Sequence, residues 1–224
     1  MVKNKPAAEL VLDELLRGVD SGDYLPGQRV NAASLGKKLG LSLAPVREAL
    51  HVLAGQGVVE LLPKRGAVLR EMRNEDLRDY WSVLLALGRL GIELATVKAA
   101  EPDNAKRLRQ EQAHLHRRLL EVNGSAFYKV TNRVHYLLNE IADNRFLHDL
   151  TSRYMILYWE KFLSEQLPYE DYRQDYIANY DRIIESVLRG DSRTAVAAWE
   201  YHVRWSVALI EGVNAPRPGQ PWIG

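Results

Sequence analysis

From Asn74 to about residue 213 the sequence keeps helical periodicity almost without a break. Apolar side chains return every third or fourth position, the spacing of one face of an α-helix. The pattern is interrupted at Glu101-Pro102, Asn123-Gly124, Ala142 to Asn144, Leu167-Pro168 and Gly190-Asp191. These breaks predict about six helices of roughly 17 to 27 residues, with Pro102 and Pro168 at helix starts, where a missing amide hydrogen is tolerated. Helices joined this closely bury their apolar faces against one another, so the expected product is an all-helical antiparallel bundle. The run Ala215-Pro216-Arg217-Pro218-Gly219-Gln220-Pro221 cannot continue a helix, and a flexible tail is expected over 215–224.

The first 70 residues have another texture. Pro6 can open a helix that carries Leu12, Leu15, Leu16 and Val19 and stops at Ser21-Gly22-Asp23. Asn31 is a good N-cap for a short second helix ending near Leu39, with Gly40-Leu41 as the turn. Ser42 is expected to cap a third helix with Val46, Ala49, Leu50 and Leu53 on one face; Pro45 leaves the Ala44 amide as the target for its hydroxyl. Val58 to Leu62 and Ala67 to Leu69 read as two strands about a tight turn, Pro63-Lys64-Arg65-Gly66. Three short helices and a hairpin are the layout of a winged helix-turn-helix. The expected organisation is therefore mostly α: residues 1–72 as the winged helix-turn-helix, 73–214 as the helical bundle, and 215–224 as tail.

Composition narrows the function classes. The chain has no cysteine, so disulfides, thiolate-bound zinc and thiol catalysis are excluded. The N-terminus has no long apolar stretch of a signal peptide, and charges interrupt every apolar run of membrane length, so a cytoplasmic protein with no membrane partner is expected. Net charge is only +1, yet residues 1–70 hold 10 basic against 7 acidic side chains while the remainder is slightly acidic. A basic head on an acidic body suits DNA contact by the first part.

Leu25-Pro26-Gly27-Gln28-Arg29-Val30, Ser42-Leu43-Ala44-Pro45-Val46-Arg47-Glu48-Ala49-Leu50, Gly57-Val58-Val59 and Arg65-Gly66-Ala67-Val68 follow one another in a fixed order. In this order and spacing they resemble the GntR family of transcription regulators. The helical remainder resembles the FadR-type effector domain called FCD, with Arg89-x-x-Ile92-Glu93 similar to that domain's Arg-x-x-Leu-Glu pattern. The resemblance implies a homodimer on a palindromic, double-stranded operator, with the third helix in the major groove. It assigns DNA contact to Arg47, whose fork can hold guanine O6 and N7 or a phosphate. Ser42 and Pro45 at the helix start, Lys64, Arg65 and Gly66 at the wing, and Arg29 and Lys38 complete the expected set. Two positions depart from the family: Leu43 and Ala33 stand where arginines are usual, which weakens phosphate anchoring or alters operator preference.

For the second domain the resemblance implies a small-molecule effector and a divalent metal, such as zinc or nickel, held by an acidic or amide residue and three histidines. His135 and His202 match two of those positions. Thr131 and Tyr180 stand at the other two, and neutral hydroxyls are poor replacements for carboxylate and imidazole. The alternative is that both histidines are buried, hydrogen-bonded residues lining a pocket. Tyr169, Tyr172, Tyr176 and Tyr180 recur as one stripe on an expected helix, either as core or as a pocket wall. Arg89 is the candidate for an anionic group, with Glu93 one turn on as its competitor. The function expected is a ligand-responsive repressor sensing a carboxylate-bearing metabolite; the alternative is an architectural DNA binder without effector. No nucleophile-base arrangement or cofactor fingerprint points to an enzyme.

Overall fold

The computed structural model describes residues 5–64, 66–71, 74–123, 125–154 and 169–210. The chain divides into two compact units after Arg73.

The first unit runs α1 (Ala7–Ser21), β1 (Arg29–Val30), α2 (Ala32–Leu39), α3 (Leu43–Gly55), β2 (Val59–Leu62) and β3 (Gly66–Leu69). Local chemistry sets most of these limits. Gly22 closes α1 in the left-handed region, φ 77°, and donates its amide to the Val19 carbonyl. Asn31 Oδ1 accepts from the amides of Ala33 and Ser34, 3.0 Å each, satisfying two of the orphan donors of α2. Between α2 and α3 the Leu41 amide bonds the Gly36 carbonyl at 2.9 Å. A Cβ on Gly36 would lie 2.7 Å from the Leu41 oxygen, so only glycine fits this turn. Val46, Ala49, Leu50 and Leu53 are all buried, as the periodicity of α3 requires; they close over Val11 and Leu15 of α1 and Leu35 of α2, each buried apolar side chain contributing about 1.5–3 kcal/mol.

The sheet has the order β1-β3-β2, antiparallel throughout, with Arg29 opposite Val68 and Leu62 opposite Gly66. The hairpin matches expectation, but β1 does not appear in the sequence pattern: two residues are too few to show alternation. At the wing tip Lys64 takes φ 62° and Gly66 φ 78°. Arg65 lies outside the described residues.

The second unit comprises α4 (Asn74–Lys98), α5 (Pro102–Leu119), α6 (Ser125–Ala142), α7 (Arg145–Tyr154), a 3-10 turn (Tyr169–Tyr172), α8 (Arg173–Leu188) and α9 (Ser192–Ile210). The expected breaks fall between these helices, except Leu167-Pro168, which lies outside the described residues together with the 215–224 tail. Helix α4 packs on α6 and α9, α8 on α9 and α5, and α5 on α6. The core consists of Leu108, Leu115, Phe127, Val134, Ile184, Trp199 and Trp205 among others, all essentially inaccessible.

Two expectations change here. Tyr169 and Tyr172 do not continue the stripe of α8; they form the 3-10 turn before it, and α8 starts at Arg173, whose guanidinium is anchored on the Leu119 and Val122 carbonyls at the end of α5. Also, Arg78–Lys98 within α4 is long and apolar enough to cross a membrane by length and composition, with a third of its best window buried. That helix is apolar on two sides. Leu84, Ile92 and Ala95 are buried, whereas Val83, Leu90 and Val97, two turns apart, are exposed. Arg89 and Glu93 sit near its middle, an ion pair that is expensive in a bilayer.

Candidate functional sites

In the first unit, the face of α3 opposite its buried residues lies open. An open groove of about 390 Å³ is lined by Leu43, Arg47 and His51 from α3 and by Arg29 and Gly66 from the sheet. Arg29 and Arg47 are exposed, and among the described residues neither has a carboxylate partner. Two unpaired guanidinium groups beside one groove offer forked donors to an anion. Ser42 is the N-cap residue of α3 by backbone geometry, but its side chain makes no capping hydrogen bond, contrary to expectation. Its exposed hydroxyl is left to solvent or to a ligand. Pro45 is partly covered in the first turn, and Lys64 is exposed at the wing tip.

Lys38, half-exposed, has an acidic partner within the unit. Its ammonium is 2.6 Å from Glu14 Oε1, and Arg17 holds the same carboxylate through two hydrogen bonds of 3.0 and 2.8 Å. Arg17 and then Lys38 hold the Glu14 carboxyl down at about 2, against the opposing effect of burial. Lys38 thus carries its charge as part of a cluster internal to the unit.

In the second unit, α6, α8 and α9 bring Thr131, His135, Tyr176, Tyr180 and His202 together. His135 Nε2 and the Tyr180 hydroxyl are hydrogen-bonded at 2.8 Å. The His202 ring lies 4.7 Å from Tyr180, 5.5 Å from Tyr176 and 5.9 Å from Trp199, centroid to centroid. Trp199 stands edge-on to His135 at 4.8 Å and donates its Nε1 hydrogen to the Leu85 carbonyl at 3.1 Å. Thr131 is buried, gives its hydroxyl hydrogen to the Tyr128 carbonyl at 3.1 Å, and lies beside the Tyr180 hydroxyl. Burial disfavours charge throughout: it lowers His135 to about 4 and His202 to about 3, with His135 adding to the second shift. It raises Tyr176 to about 12 and Tyr180 well above the usual phenol range. At neutral pH both imidazoles and both phenols are uncharged.

Residues 7–69 match the family model for bacterial regulatory proteins of the gntR family, and residues 79–204 match the FCD domain. The chain is a GntR-family regulator with an FCD domain. YdhC of Bacillus subtilis strain 168, an HTH-type transcriptional regulator, is 24% identical over 141 residues, 62% of this chain and 62% of that protein. The Nta operon transcriptional regulator of Aminobacter aminovorans is 24% identical over 159 residues, 66% of this chain and 72% of that one. Among solved structures, E. coli McbR/YncC superposes with a TM-score of 0.74 at 18% identity, over 95% of this chain and 99% of that one. A GntR chain from Rhodococcus sp. RHA1 superposes at 0.70 and 18% identity, over 93% and 99%. YdhC and the Nta operon protein are both named as transcriptional regulators.

The residues present do not fit the divalent metal that FCD domains imply. Among the described residues no three His, Cys, Asp or Glu side chains gather into a ligand group. His135 has its Nε2 engaged by a phenol, and Thr131 has spent its hydrogen on a carbonyl. Two neutral imidazoles and two hydroxyls lack the charge that usually holds zinc or nickel.

Arg89 lies apart from this cluster in the GntR-family regulator. Its side chain is exposed, bonded to Glu93 at 3.0 Å and 3.6 Å from Glu200. Two carboxylates already balance its charge on the surface of α4. Sequence reading missed the role of Trp199 and Gly88. A Cβ on Gly88 would fall 2.4 Å from the Trp199 ring, so this glycine admits the indole that backs His135. No local signal marks such a pair, because its members are 111 residues apart.

Proposed function

We propose that the protein is a ligand-responsive repressor that binds a palindromic operator as a homodimer and senses a small molecule in the buried cluster of its FCD domain. The observation that carries the DNA part is the exposed, unpaired Arg47 on α3, facing the groove that Arg29 and the wing complete. Phosphate contacts position such a helix and forked base contacts specify its register. The protein would work in the bacterial cytoplasm, where its operator lies.

A second copy is supported by the exposed side of α4. If two α4 helices cross antiparallel about Leu90, the exposed Val83 meets the partner's Val97. Arg89 is paired with Glu93 and Glu200, so a carboxylate-bearing effector held by Arg89 would have to compete with both.

The test is an operator found by selection from random duplexes, followed by fluorescence anisotropy. Arg47→Ala should lose about 1–3 kcal/mol of operator affinity, roughly 5–150-fold, with the fold intact by circular dichroism. Unchanged operator affinity in Arg47→Ala refutes the assignment.

A further inference from the structure

Helix α3 carries one exposed stripe, Leu43, Arg47 and His51, at a spacing of four residues. All three line the groove of the first unit, together with Arg29 and Leu61 from the sheet. Among the described residues no carboxylate lines that groove. Leu43 is the first residue of α3 and is 41% exposed. The core does not use it: Val46, Ala49, Leu50 and Leu53 are the side chains that α3 buries. A single leucine in water is ordinary on a protein surface. This one differs in its company, because it heads the same stripe as Arg47 and shares a groove with two guanidinium groups that have no carboxylate partner.

The position decides what such a side chain can touch. When a recognition helix lies in the major groove, its N-terminal residues reach the base edges. A leucine there has no hydrogen bond to give or take. Laid over guanine O6 and N7, or over the exocyclic amine of adenine or cytosine, it would strip water from a polar group and replace nothing. Thymine alone presents a methyl group on that edge. Contact with this methyl removes apolar surface from water on both sides. Leu61 is also exposed in the groove, at 37%, but it belongs to β2 and not to the recognition helix. Along the axis of α3, Leu43 and Arg47 are separated by about 6 Å, and base pairs repeat every 3.4 Å or so, which sets their two contacts about two base pairs apart.

We propose that Leu43 is a specificity-determining residue that reads the 5-methyl group of a thymine in each half-site of the operator. The inference rests on the regulator reading above and names what the head of α3 recognises. Ala33 lines the groove as well and adds no donor, so polar recognition is left to Arg47 and Arg29 while Leu43 contributes an apolar contact.

The test uses the full chain. A preferred duplex is selected from random sequence, and each thymine of the half-site is then replaced, in both half-sites together, by deoxyuridine, which lacks only the 5-methyl group. One such replacement should weaken wild-type binding about 4-fold per half-site, or about 15-fold for the pair, the loss expected for one buried methyl. At that position Leu43→Ala should bind the thymine and uracil duplexes within about 2-fold of each other. Leu43→Gln, of similar length, serves the same purpose if the alanine variant lacks native circular dichroism. Leu43→Arg, taken through a fresh selection, should exchange the thymine for guanine, which its fork can hold at O6 and N7.

Three results would overturn the proposal. One is a preferred duplex in which no thymine-to-uracil change alters wild-type affinity by more than about 2-fold. Another is methyl discrimination that survives in Leu43→Ala, which would assign the contact to Leu61 or another side chain. The third is a Leu43→Arg protein that selects the same thymine. Failure of wild type to prefer any duplex is a separate outcome: it would sink the regulator reading, and this inference with it.

Discussion

Replacing Gly88 by alanine should destabilise the helical unit, although alanine is the better helix former. Within α4 the change alone would gain about 1 kcal/mol of helix propensity. Against it stands the Trp199 ring. The new methyl would lie 2.4 Å from Cε2 and 2.5 Å from both Cζ2 and Nε1. That is about 1 Å inside ordinary carbon contact. The ring has little room to retreat: it is 1% exposed, packs edge-on against His135 at 4.8 Å, and is tied to the Leu85 carbonyl at 3.1 Å. Overpacking of this kind costs about 1–3 kcal/mol, and breaking the indole hydrogen bond adds about 1 kcal/mol. The net loss is about 1–3 kcal/mol, or a fall in Tm of roughly 2–10 °C at this size. Thermal unfolding followed by near-ultraviolet circular dichroism reads it, since Trp199 is one of the five tryptophans that contribute to the signal. Gly55→Ala is the control: Gly55 ends α3 with nothing within 4 Å of a Cβ, and alanine there should be neutral or stabilising. A Gly88→Ala protein that melts at or above wild type would refute the claim that this glycine exists to admit the indole.

Other perturbations test other joints. Gly36→Ala drives a methyl to 2.7 Å from a backbone oxygen, which cannot swing aside as a side chain can, so operator affinity should fall together with about 1–3 kcal/mol of stability in the first unit; equal operator titrations would refute it. Glu14 is held at about 2 when folded, below its unfolded value, so its contribution is present above about pH 4.5 and is lost as pH falls towards 2. Because Arg17 and Lys38 are half-exposed, it amounts to about 1–2 kcal/mol, and Glu14→Gln should flatten the acid limb of the unfolding curve by that amount. Arg133 grips the nearly buried Glu111 with two bonds of 2.8 Å; Arg133→Ala should cost about 1–3 kcal/mol in urea unfolding, and Arg133→Met/Glu111→Met should recover most of it.

Much of the molecule was legible from residue order alone because its signals are local. Asn31 as cap, Gly22 and Gly40 as helix ends, Pro102 at a helix start, and the buried face Val46-Ala49-Leu50-Leu53 each depend on atoms within about one helical turn. The same locality explains the motif that marked the DNA-binding unit, since its residues are consecutive. Where reading failed, the answer lay in contacts between elements. Ser42 was expected to cap through its hydroxyl, yet rotamer and solvent decide whether that bond forms. Strand β1 exists only because β3 is there to pair with it.

The pocket divides along the same line. Residue order by itself determined that His135 and His202 lie on separate helices and that Thr131 and Tyr180 stand at the positions of missing ligands. It also offered Glu93 as a partner for Arg89, four residues on, and that pair forms. Only the tertiary structure decided that Arg89 faces out, that Tyr180 reaches His135 across 45 residues of chain, and that Trp199 closes on Gly88. The physical reason is that backbone propensities and periodicity act over a turn or two. Which faces of two helices finally meet depends instead on the volumes of side chains far apart in sequence, packed without voids.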